Sequence, residues 1–282
     1  MAGALGDAVL HAAPVSGGDT ASAFRMELAS GRTVFAKTHA SPPPGFFTTE
    51  AASLTWLAEP GAVPVPDVLA ASDGDEDHPA HLVLGWIEQG RANGSTEADL
   101  GRSLARLHRA APDVFGRTDG RTTGSRGLPN DPGATWAEFY ATQRLAPLAR
   151  LAREEHALPA SVTAALERLD ADRLAEVGGP PEPPARLHGD LWAGNRIVDR
   201  DGRSWLIDPA AHGGHREFDL AMMRLFGGFR PDCFAAYHEA WPLADGWSER
   251  VALHQIAPLA IHAIKFGASY VAAATDAITT YA

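Results

Sequence analysis

The chain has 282 residues, which is enough for one large domain or for two lobes built around a substantial core. A hydrophobic share of 45% and a charged share of 21% are ordinary for a globular protein, and no apolar stretch approaches the length of a membrane-spanning helix. The net charge of −11 argues against non-specific nucleic-acid binding, and the single cysteine, Cys233, excludes an intrachain disulfide and favours a reducing, cytoplasmic location.

The N-terminal part of the chain predicts a small sheet with one helix. Residues 1–15 are typical of a short helix that leads into a strand, and alternating apolar and polar residues predict a hairpin over 21–38. Apolar residues at helical spacing predict a helix over 47–57, which ends at a Pro-Gly pair. Short strands are predicted over 63–69 and 81–87.

The rest of the chain is mainly helical in pattern. A long loop rich in Gly, Arg, Thr and Pro is predicted over 112–133, and a loop of this length is usually functional or disordered. Helices are predicted over 96–109, 135–155, 160–176, 231–240 and 248–276, with a further one starting near Glu217.

These elements predict an α+β fold with two lobes. The first, residues 1–87, is a small antiparallel sheet plus a helix, and the second, residues 88–282, is larger and mainly helical, with a hinge at about 84–90. Because ligands favour clefts between lobes, we expect the binding site where the two meet.

The stretch from Leu187 to Asp208, LHGDLWAGNRIVDRDGRSWLID, carries three polar side chains that apolar packing does not explain. Asn195 follows Asp190 by five positions, and Asp208 follows after a short predicted hairpin. This is the spacing of a kinase catalytic loop followed by a metal-binding aspartate. We therefore expect Asp190 to accept the proton of an acceptor hydroxyl, and the side-chain oxygens of Asn195 and Asp208 to bind Mg²⁺ beside the phosphates of ATP.

An upstream lysine and glutamate complete this set. Lys37 lies at the end of a predicted strand with apolar neighbours, and Glu50 lies thirteen residues later, beside the packed face of the predicted helix. A lysine at a strand end is often only a solvated side chain. Considered with the downstream stretch, however, Lys37 is expected to bind the nucleotide phosphates, oriented by Glu50.

Further strings extend the pattern along the chain. They are LHGDLWAGN with its Trp192, the following IDPAAHGGHREFDLAMMRLFGGF, the later WPL with GW, and, near the start, VSGGD and FFxxE. These strings resemble the fructosamine kinase (ketosamine kinase) family, within the aminoglycoside phosphotransferase and protein-kinase-like superfamily. The resemblance spans nearly the whole chain and implies ATP-dependent phosphorylation of a hydroxyl on a small sugar-amine adduct such as a fructosamine.

The resemblance also implies roles for individual residues. Asp190 is the catalytic base, Asn195 and Asp208 bind Mg²⁺, and His188 and Asp219 brace the catalytic loop. The implied nucleotide-binding residues are Ser16, Gly17, Gly18, Asp19, Thr20, Lys37, Glu50, Leu84, Gly85 and Trp86. The implied acceptor-site candidates are Trp192, His215, Trp241 and Trp247.

Other functional classes fit the residues less well. An esterase needs Gly-x-Ser-x-Gly, and the string TGSRG at 123–127 lacks the first glycine. A metal hydrolase could use His212 and His215 with Asp208, but a third strong ligand is not spaced nearby.

Only eleven positions separate Asp208 from Asp219, which leaves no room for a long protein-kinase activation segment and favours a small-molecule acceptor. An antibiotic-type phosphotransferase and a nucleotide-binding pseudokinase without turnover stay open as alternatives, and the oligomeric state is not predicted.

Overall fold

An antiparallel sheet of five strands, in the order β1-β2-β3-β5-β4, forms the N-terminal part of the protein. The computed structural model describes residues 5–15, 21–75, 78–124 and 126–282. The strands are β1 (Val9–Pro14), β2 (Ser22–Leu28), β3 (Thr33–His39), β4 (Val68–Ser72) and β5 (Ala80–Gly85).

The hairpin predicted over 21–38 is confirmed by β2 and β3. The strand predicted over 63–69 lies further along the chain, because Pro64 and Pro66 have no N–H to donate to a neighbouring strand and pairing starts only at Val68.

Strand β3 lies between β2 and β5 and places Lys37 on the cleft face of the sheet. Because side chains alternate along a strand, Val34 and Ala36 join the apolar cluster on the outer face, while Phe35 and Lys37 point the other way, into the cleft. Pairing with strands on both sides holds the backbone of Lys37 in register.

Helix α1 (Phe46–Ala58) packs against this sheet and buries Phe47 and Leu54 completely. Asp73, in the loop between β4 and β5, caps its N-terminus. Its Oδ1 accepts hydrogen bonds from the backbone N–H groups of Phe47 (2.9 Å) and Thr48 (3.2 Å). The loop thereby fixes the end of the helix that carries Glu50.

The second part of the protein is mainly helical, as predicted. Its helices are α2 (Thr96–Arg109), α3 (Trp136–Tyr140), a π-helical turn (Ala141–Leu145), α4 (Ala146–Glu154), α5 (Ala160–Arg168), α6 (Ala171–Val177), α7 (Glu217–Phe226), α8 (Pro231–Ala240), α9 (Val251–Phe266) and α10 (Ser269–Tyr281). The short strands are β6 (Ala185–Leu187), which pairs with β9 (His212–Gly214), and β7 (Arg196–Val198), which pairs with β8 (Ser204–Leu206).

Two helices that the sequence predicts as continuous are broken by turns. The predicted helix over 160–176 is interrupted where the side chain of Asp170 caps a new helix, α6. The predicted helix over 248–276 is interrupted at Gly267 and Ala268, whose φ angles of 62° and 47° are left-handed and cannot continue a right-handed helix.

Among the residues that the structure describes, the buried apolar side chains form three clusters. One covers the outer face of the sheet, and another lies among the C-terminal helices. The third runs from Leu54 and Leu82 in the sheet part to Leu104 and Leu220 in the helical part. The predicted α+β class with an N-terminal sheet and a helical remainder is confirmed, whereas a division into units at residue 87 stays a prediction. Within the described ranges, no helix is long and apolar enough to cross a membrane.

Candidate active site

The loop after β6 brings Asp190 and Asn195 together. Asn195 Nδ2 donates hydrogen bonds to Asp190 Oδ2 (3.0 Å) and to the Asp190 carbonyl (2.9 Å). A single 3₁₀ turn (Ala193–Asn195) makes this contact possible. Because the amide nitrogen of Asn195 faces Asp190, its amide oxygen is the atom that can bind a cation.

Asp219, in α7, lies completely buried beneath this loop. Its carboxylate accepts hydrogen bonds from the backbone N–H groups of His188 (2.8 Å) and Gly189 (2.9 Å), and His108 Nε2 lies 3.2 Å away. Burial alone would raise the pKa of Asp219, but His108 and the neighbouring donors lower it, so the carboxylate stays ionised. The structure thus places Asp219 where the predicted bracing of the loop requires it.

His188 links the catalytic loop to the strand that precedes Asp208. The buried ring accepts a hydrogen bond from the Asp190 N–H at Nδ1 (3.2 Å), and its Nε2 lies 2.9 Å from the Ile207 carbonyl. A ring that accepts at Nδ1 must carry its proton at Nε2, which can then donate to the carbonyl. Burial lowers the pKa of His188 and favours this neutral form.

Lys37 joins Glu50 and Asp208 inside the cleft. Its Nζ lies 2.8 Å from Glu50 Oε1 and 2.5 Å from Asp208 Oδ1. Burial alone would lower the pKa of Lys37, but the two carboxylates raise it. Burial raises the pKa of Glu50 to about 7, against the opposing effect of Lys37. Lys37 therefore stays a cation at neutral pH and can bind phosphate.

The backbone at Asp208 turns its carboxylate into the cleft. Its φ of 53° is left-handed, a conformation that costs a non-glycine residue on the order of 1 kcal/mol. The preceding Ile207 N–H donates to the Asn195 carbonyl (3.0 Å), which ties the strand to the catalytic loop. The side chain of Asp208 remains about one third exposed, at 32%. Strain of this kind is typical of functional positions.

The pKa of Asp190 is raised to about 6, chiefly by burial and further by the nearby Asp208 carboxylate. The hydrogen bond from Asn195 and the positive charge of Lys265 act in the opposite direction. A carboxylate with this pKa is mostly ionised at neutral pH and is basic enough to take a proton from a reacting group.

A cleft of about 1210 Å³ connects these residues and is lined by both parts of the chain. Its lining includes apolar side chains from both parts of the chain, which we call the apolar slot because lining of this kind accepts a nucleotide base: Phe35, Leu84, Ile87, Ile197 and Ile207.

The predicted adenine contact lies beside this slot. Leu84, Gly85 and Trp86 all line the cleft. The Gly85 N–H already donates to the Asp67 carbonyl (2.9 Å). Any hydrogen bond from this segment to a base must therefore come from a group other than the Gly85 N–H.

A further part of the cleft lining is aromatic. Trp192 and Phe266 are unusually exposed for such large side chains, at 41% and 50%, and both line the cleft. Phe226 connects them: its ring centroid lies 6.1 Å from that of Trp192 and 6.5 Å from that of Tyr270, which in turn lies 6.1 Å from Phe266. Among the predicted acceptor-site residues, Trp192 thus has the expected position.

Arg144 lies on the π-helical turn and also lines the cleft, although it is buried. Its guanidinium donates to the Pro129 carbonyl (2.6 Å) and to Asn130 Oδ1 (2.5 Å). Burial lowers its pKa to about 9, so it remains charged at neutral pH. This residue fastens the predicted long loop to the helical part, and the sequence carried no signal for that role.

The loop predicted over 112–133 also contacts α1. The guanidinium of Arg117 lies 4.9 Å from the ring centroid of Trp56, and Arg121 Nη1 donates to Thr48 Oγ1 (3.5 Å). The described part of the loop therefore bridges from the helical part to the sheet part, beside the cleft.

Two predicted acceptor candidates, Trp241 and Trp247, lie away from the cleft. The ring of Trp241 packs under the guanidinium of Arg216 (4.0 Å), and that of Trp247 packs under Arg224 (4.1 Å). Neither ring belongs to the described cleft lining. Each ring packs on a guanidinium beside α7 or α8, and a role of either residue in the acceptor site stays a prediction.

His215, a further predicted acceptor residue, also lies outside the described cleft lining, and its role stays a prediction. It is buried and stacks on His254 with centroids 4.9 Å apart and planes at 27°. Potential ligand atoms of His215, Glu217 and His254 lie within 4.8 Å of one another. Nearly parallel rings cannot aim their in-plane lone pairs at one ion, and Arg250 already donates twice to Glu217 (3.0 and 2.6 Å). The group is a buried ion-pair cluster.

The predicted phosphate-covering residues, Ser16, Gly17, Gly18, Asp19 and Thr20, lie outside the described residues.

Comparison with known protein families identifies the family of this chain. A model of the fructosamine kinase family matches residues 3–282. The chain belongs to the fructosamine kinase family. Like the family as a whole, it is a phosphotransferase that acts on an alcohol group.

Relatives and solved structures agree with this family assignment. A probable ketoamine kinase of Enterococcus faecium is 34% identical over 91% of this chain and 90% of its own length. One from Thermus thermophilus is 36% identical over 95% and 93%. A solved structure from Thermobifida fusca, assigned as a fructosamine-3-kinase, is 37% identical with a TM-score of 0.89, covering 99% of this chain and 96% of its own.

A more distant structure shows the fold class of the fructosamine kinase family. Aminoglycoside phosphotransferase APH(4)-Ia, in a ternary complex with AMP-PNP and hygromycin B, is 15% identical with a TM-score of 0.68, covering 97% of this chain and 94% of its own. The predicted kinase-like fold is therefore confirmed.

Proposed function

We propose that the protein is an ATP- and Mg²⁺-dependent kinase that phosphorylates a hydroxyl of a small ketosamine. The observation that carries the proposal is the convergence of Lys37, Asp190, Asn195 and Asp208 on one cleft. Family membership supports a sugar-amine acceptor, and an Arabidopsis thaliana relative, 29% identical over 88% of this chain, is named a protein-ribulosamine 3-kinase.

In this proposal Lys37 binds the phosphates of the nucleotide, and Glu50 holds the ammonium in position. The side-chain oxygens of Asn195 and Asp208 are hard donors of the kind that Mg²⁺ prefers, and they would hold the ion. Mg²⁺, when bound, neutralises negative charge on the transferred phosphoryl group. The apolar slot between the two parts of the chain would take the base.

Asp190 acts as the base in the transfer. The acceptor oxygen forms a bond to the γ-phosphorus, the bond from that phosphorus to ADP breaks, and the hydroxyl proton goes to an Asp190 oxygen. Asn195 Nδ2 holds the carboxylate in place through Oδ2. The pKa of about 6 suits this role, because the ionised form dominates at neutral pH.

The test is ADP release from Mg-ATP with fructosyl-lysine, ribulosyl-lysine or kanamycin as acceptor. We expect the two ketosamines to stimulate release and kanamycin to leave it at the basal level. The control is Asp190→Asn, which we expect to lose about 10²- to 10⁴-fold in turnover while ATP binding persists. Stimulation by kanamycin alone would indicate an antibiotic-type phosphotransferase. Release that no acceptor stimulates, from folded protein, would contradict the proposal.

A further inference from the structure

Lys265 is an unusual residue in this chain. Lysine and arginine together number 24, and all but Lys37 and Lys265 are arginine. Both lysines line the same cleft, Lys37 in the sheet part and Lys265 in the last turn of α9. Each of the two parts of the chain thus contributes one compact ammonium to the cleft, in a protein that otherwise uses guanidinium groups.

The surroundings of the two lysines differ. Lys37 has two carboxylate partners, whereas no carboxylate of the described chain lies within 4.0 Å of Lys265 Nζ. Lys265 is exposed, and its Nζ lies 5.2 Å from the ring centroid of Phe266. A cation in the last turn of a helix is favoured by the helix dipole, which explains a positive charge there but not its position in the cleft.

Lys265 lines the same cleft as Asp190 and Trp192. Its charge acts on the Asp190 carboxylate and lowers the pKa of that group. It lies beside the aromatic wall formed by Trp192, Phe226 and Phe266. An acceptor whose hydroxyl meets Asp190 and whose sugar lies on this wall would place its amine portion within reach of the ammonium.

We propose that Lys265 binds a carboxylate on the amine portion of the acceptor, so that the preferred substrate is a ketosamine formed on the α-amino group of a free amino acid. This inference rests on the proposed function. In such an adduct the carboxylate is separated from the nitrogen by one carbon. An adduct on a protein lysine side chain has no anion near the nitrogen, so it would leave Lys265 unpaired.

The net charge of −11 makes this local cation important for specificity. A protein with this excess of negative charge repels anionic substrates in general, and a positive group inside the cleft offsets the repulsion where the substrate binds. The preference should therefore weaken as salt screens the interaction.

The experiment compares two acceptors that differ only in charge, Nα-fructosyl-glycine and Nα-fructosyl-glycinamide. The readout is kcat/KM for fructosyl-glycine divided by kcat/KM for fructosyl-glycinamide. This ratio cancels any effect that a variant has equally on both acceptors. For the unaltered protein we expect a ratio of about two to five, the size of an exposed ion pair. In Lys265→Met, which keeps length but removes charge, we expect the ratio to fall toward about one.

Two further variants complete the design. Lys265→Arg keeps the charge and should retain the preference, as should Arg150→Met, which removes an exposed charge outside the described cleft lining. An unchanged ratio in Lys265→Met, with both acceptors turned over, would overturn the role of Lys265 and leave the proposed function intact. Failure of both glycine adducts with the unaltered protein, while fructosyl-lysine is turned over, would likewise overturn only the role of Lys265. Failure of fructosyl-lysine and ribulosyl-lysine as well would overturn the proposed function itself.

Discussion

The buried carboxylate of Asp190 lowers the stability of the folded protein, and the same burial makes it basic enough for the proposed reaction. A carboxylate in this position loses hydration on folding, and the Asp208 carboxylate adds repulsion. The pKa in the folded protein is about 6, against an ordinary value of 3.8. Because the folded state therefore binds a proton more tightly than the unfolded state, stability falls as pH rises from about 4 to about 6, and above pH 6 the full cost is present.

Asp190→Asn should stabilise the nucleotide-free protein at pH 8 while lowering turnover by about 10²- to 10⁴-fold. Asparagine keeps the shape and an oxygen that can accept the bond from Asn195, but it removes the charge. The gain should reach up to about 3 kcal/mol at pH 8 and nearly vanish at pH 4. Thermal unfolding of both proteins at the two pH values measures it. A variant that is less stable than the parent at pH 8 would show that the surroundings stabilise the ionised carboxylate.

Residues whose chemistry requires fixed spacing could be predicted from the sequence. The positions of Asp190, Asn195 and Asp208 follow from such spacing, and the structure brings them together. His108 and Arg144 could not be predicted, because their contacts join residues distant in sequence. Lys265 did leave a signal, since lysine is rare in this chain.

At the scale of elements, the position of α1 depends on a residue outside the helix. Its first residue follows a glycine whose side chain can offer no cap, and Asp73 from another loop supplies the missing acceptor. Thr48 Oγ1 also donates to Asp73 Oδ2 (2.5 Å). Because Glu50 lies in the first turns of this helix, the cap also controls the contact of Glu50 with Lys37.

Asp73→Ala should lower the free energy of unfolding by about 1 kcal/mol, the usual value of a helix cap. It should also raise KM for ATP more than KM for the ketosamine, because Lys37 loses its oriented partner. Asp73→Asn is the matched control, since it keeps an acceptor oxygen and should retain most of both properties. Urea unfolding and steady-state kinetics measure the two effects. An equal rise in both KM values would indicate that the cap does not act through Lys37.

Whether a segment forms a helix or a strand could be predicted better than whether a helix is continuous. Periodicity predicts α2 and α8 nearly to the residue, because each has one clear apolar face. The interruption at Gly267 could not be predicted from periodicity, which continues across it in the sequence. The π-helical turn could not be predicted either, because a single turn is too short to show a period of its own, although it carries Arg144.

At the scale of the whole molecule, the two-lobed arrangement follows from a change in apolar period along the chain. The contact between the parts does not follow from it, because Leu54 and Leu104 join one apolar cluster only in three dimensions. The pairing of acidic with basic residues is also visible only in the folded structure. The chain has 35 acidic and 24 basic residues, yet Glu217 and Arg250 are both buried and bound to each other.

The pair of Glu217 and Arg250 should decide the acid stability of the molecule. Burial alone would raise the pKa of Glu217, but His254 and the two hydrogen bonds from Arg250 lower it to about 2. Its ordinary value is 4.5. The stabilisation is therefore fully present above about pH 4.5 and is lost as the pH falls toward 2.

Glu217→Gln should lower the free energy of unfolding by about 3 to 5 kcal/mol at pH 7, because it leaves a buried guanidinium without its counter-ion. At pH 3 the difference from the parent should narrow by about 2 kcal/mol, since the parent has lost part of the same stabilisation. The matched control is Glu176→Gln, an exposed partner of Arg173, which should change stability by less than about 0.5 kcal/mol at either pH. Denaturant unfolding at the two pH values separates these outcomes. A Glu217→Gln protein as stable as its parent at pH 7 would show that Arg250 finds another partner once the carboxylate is gone.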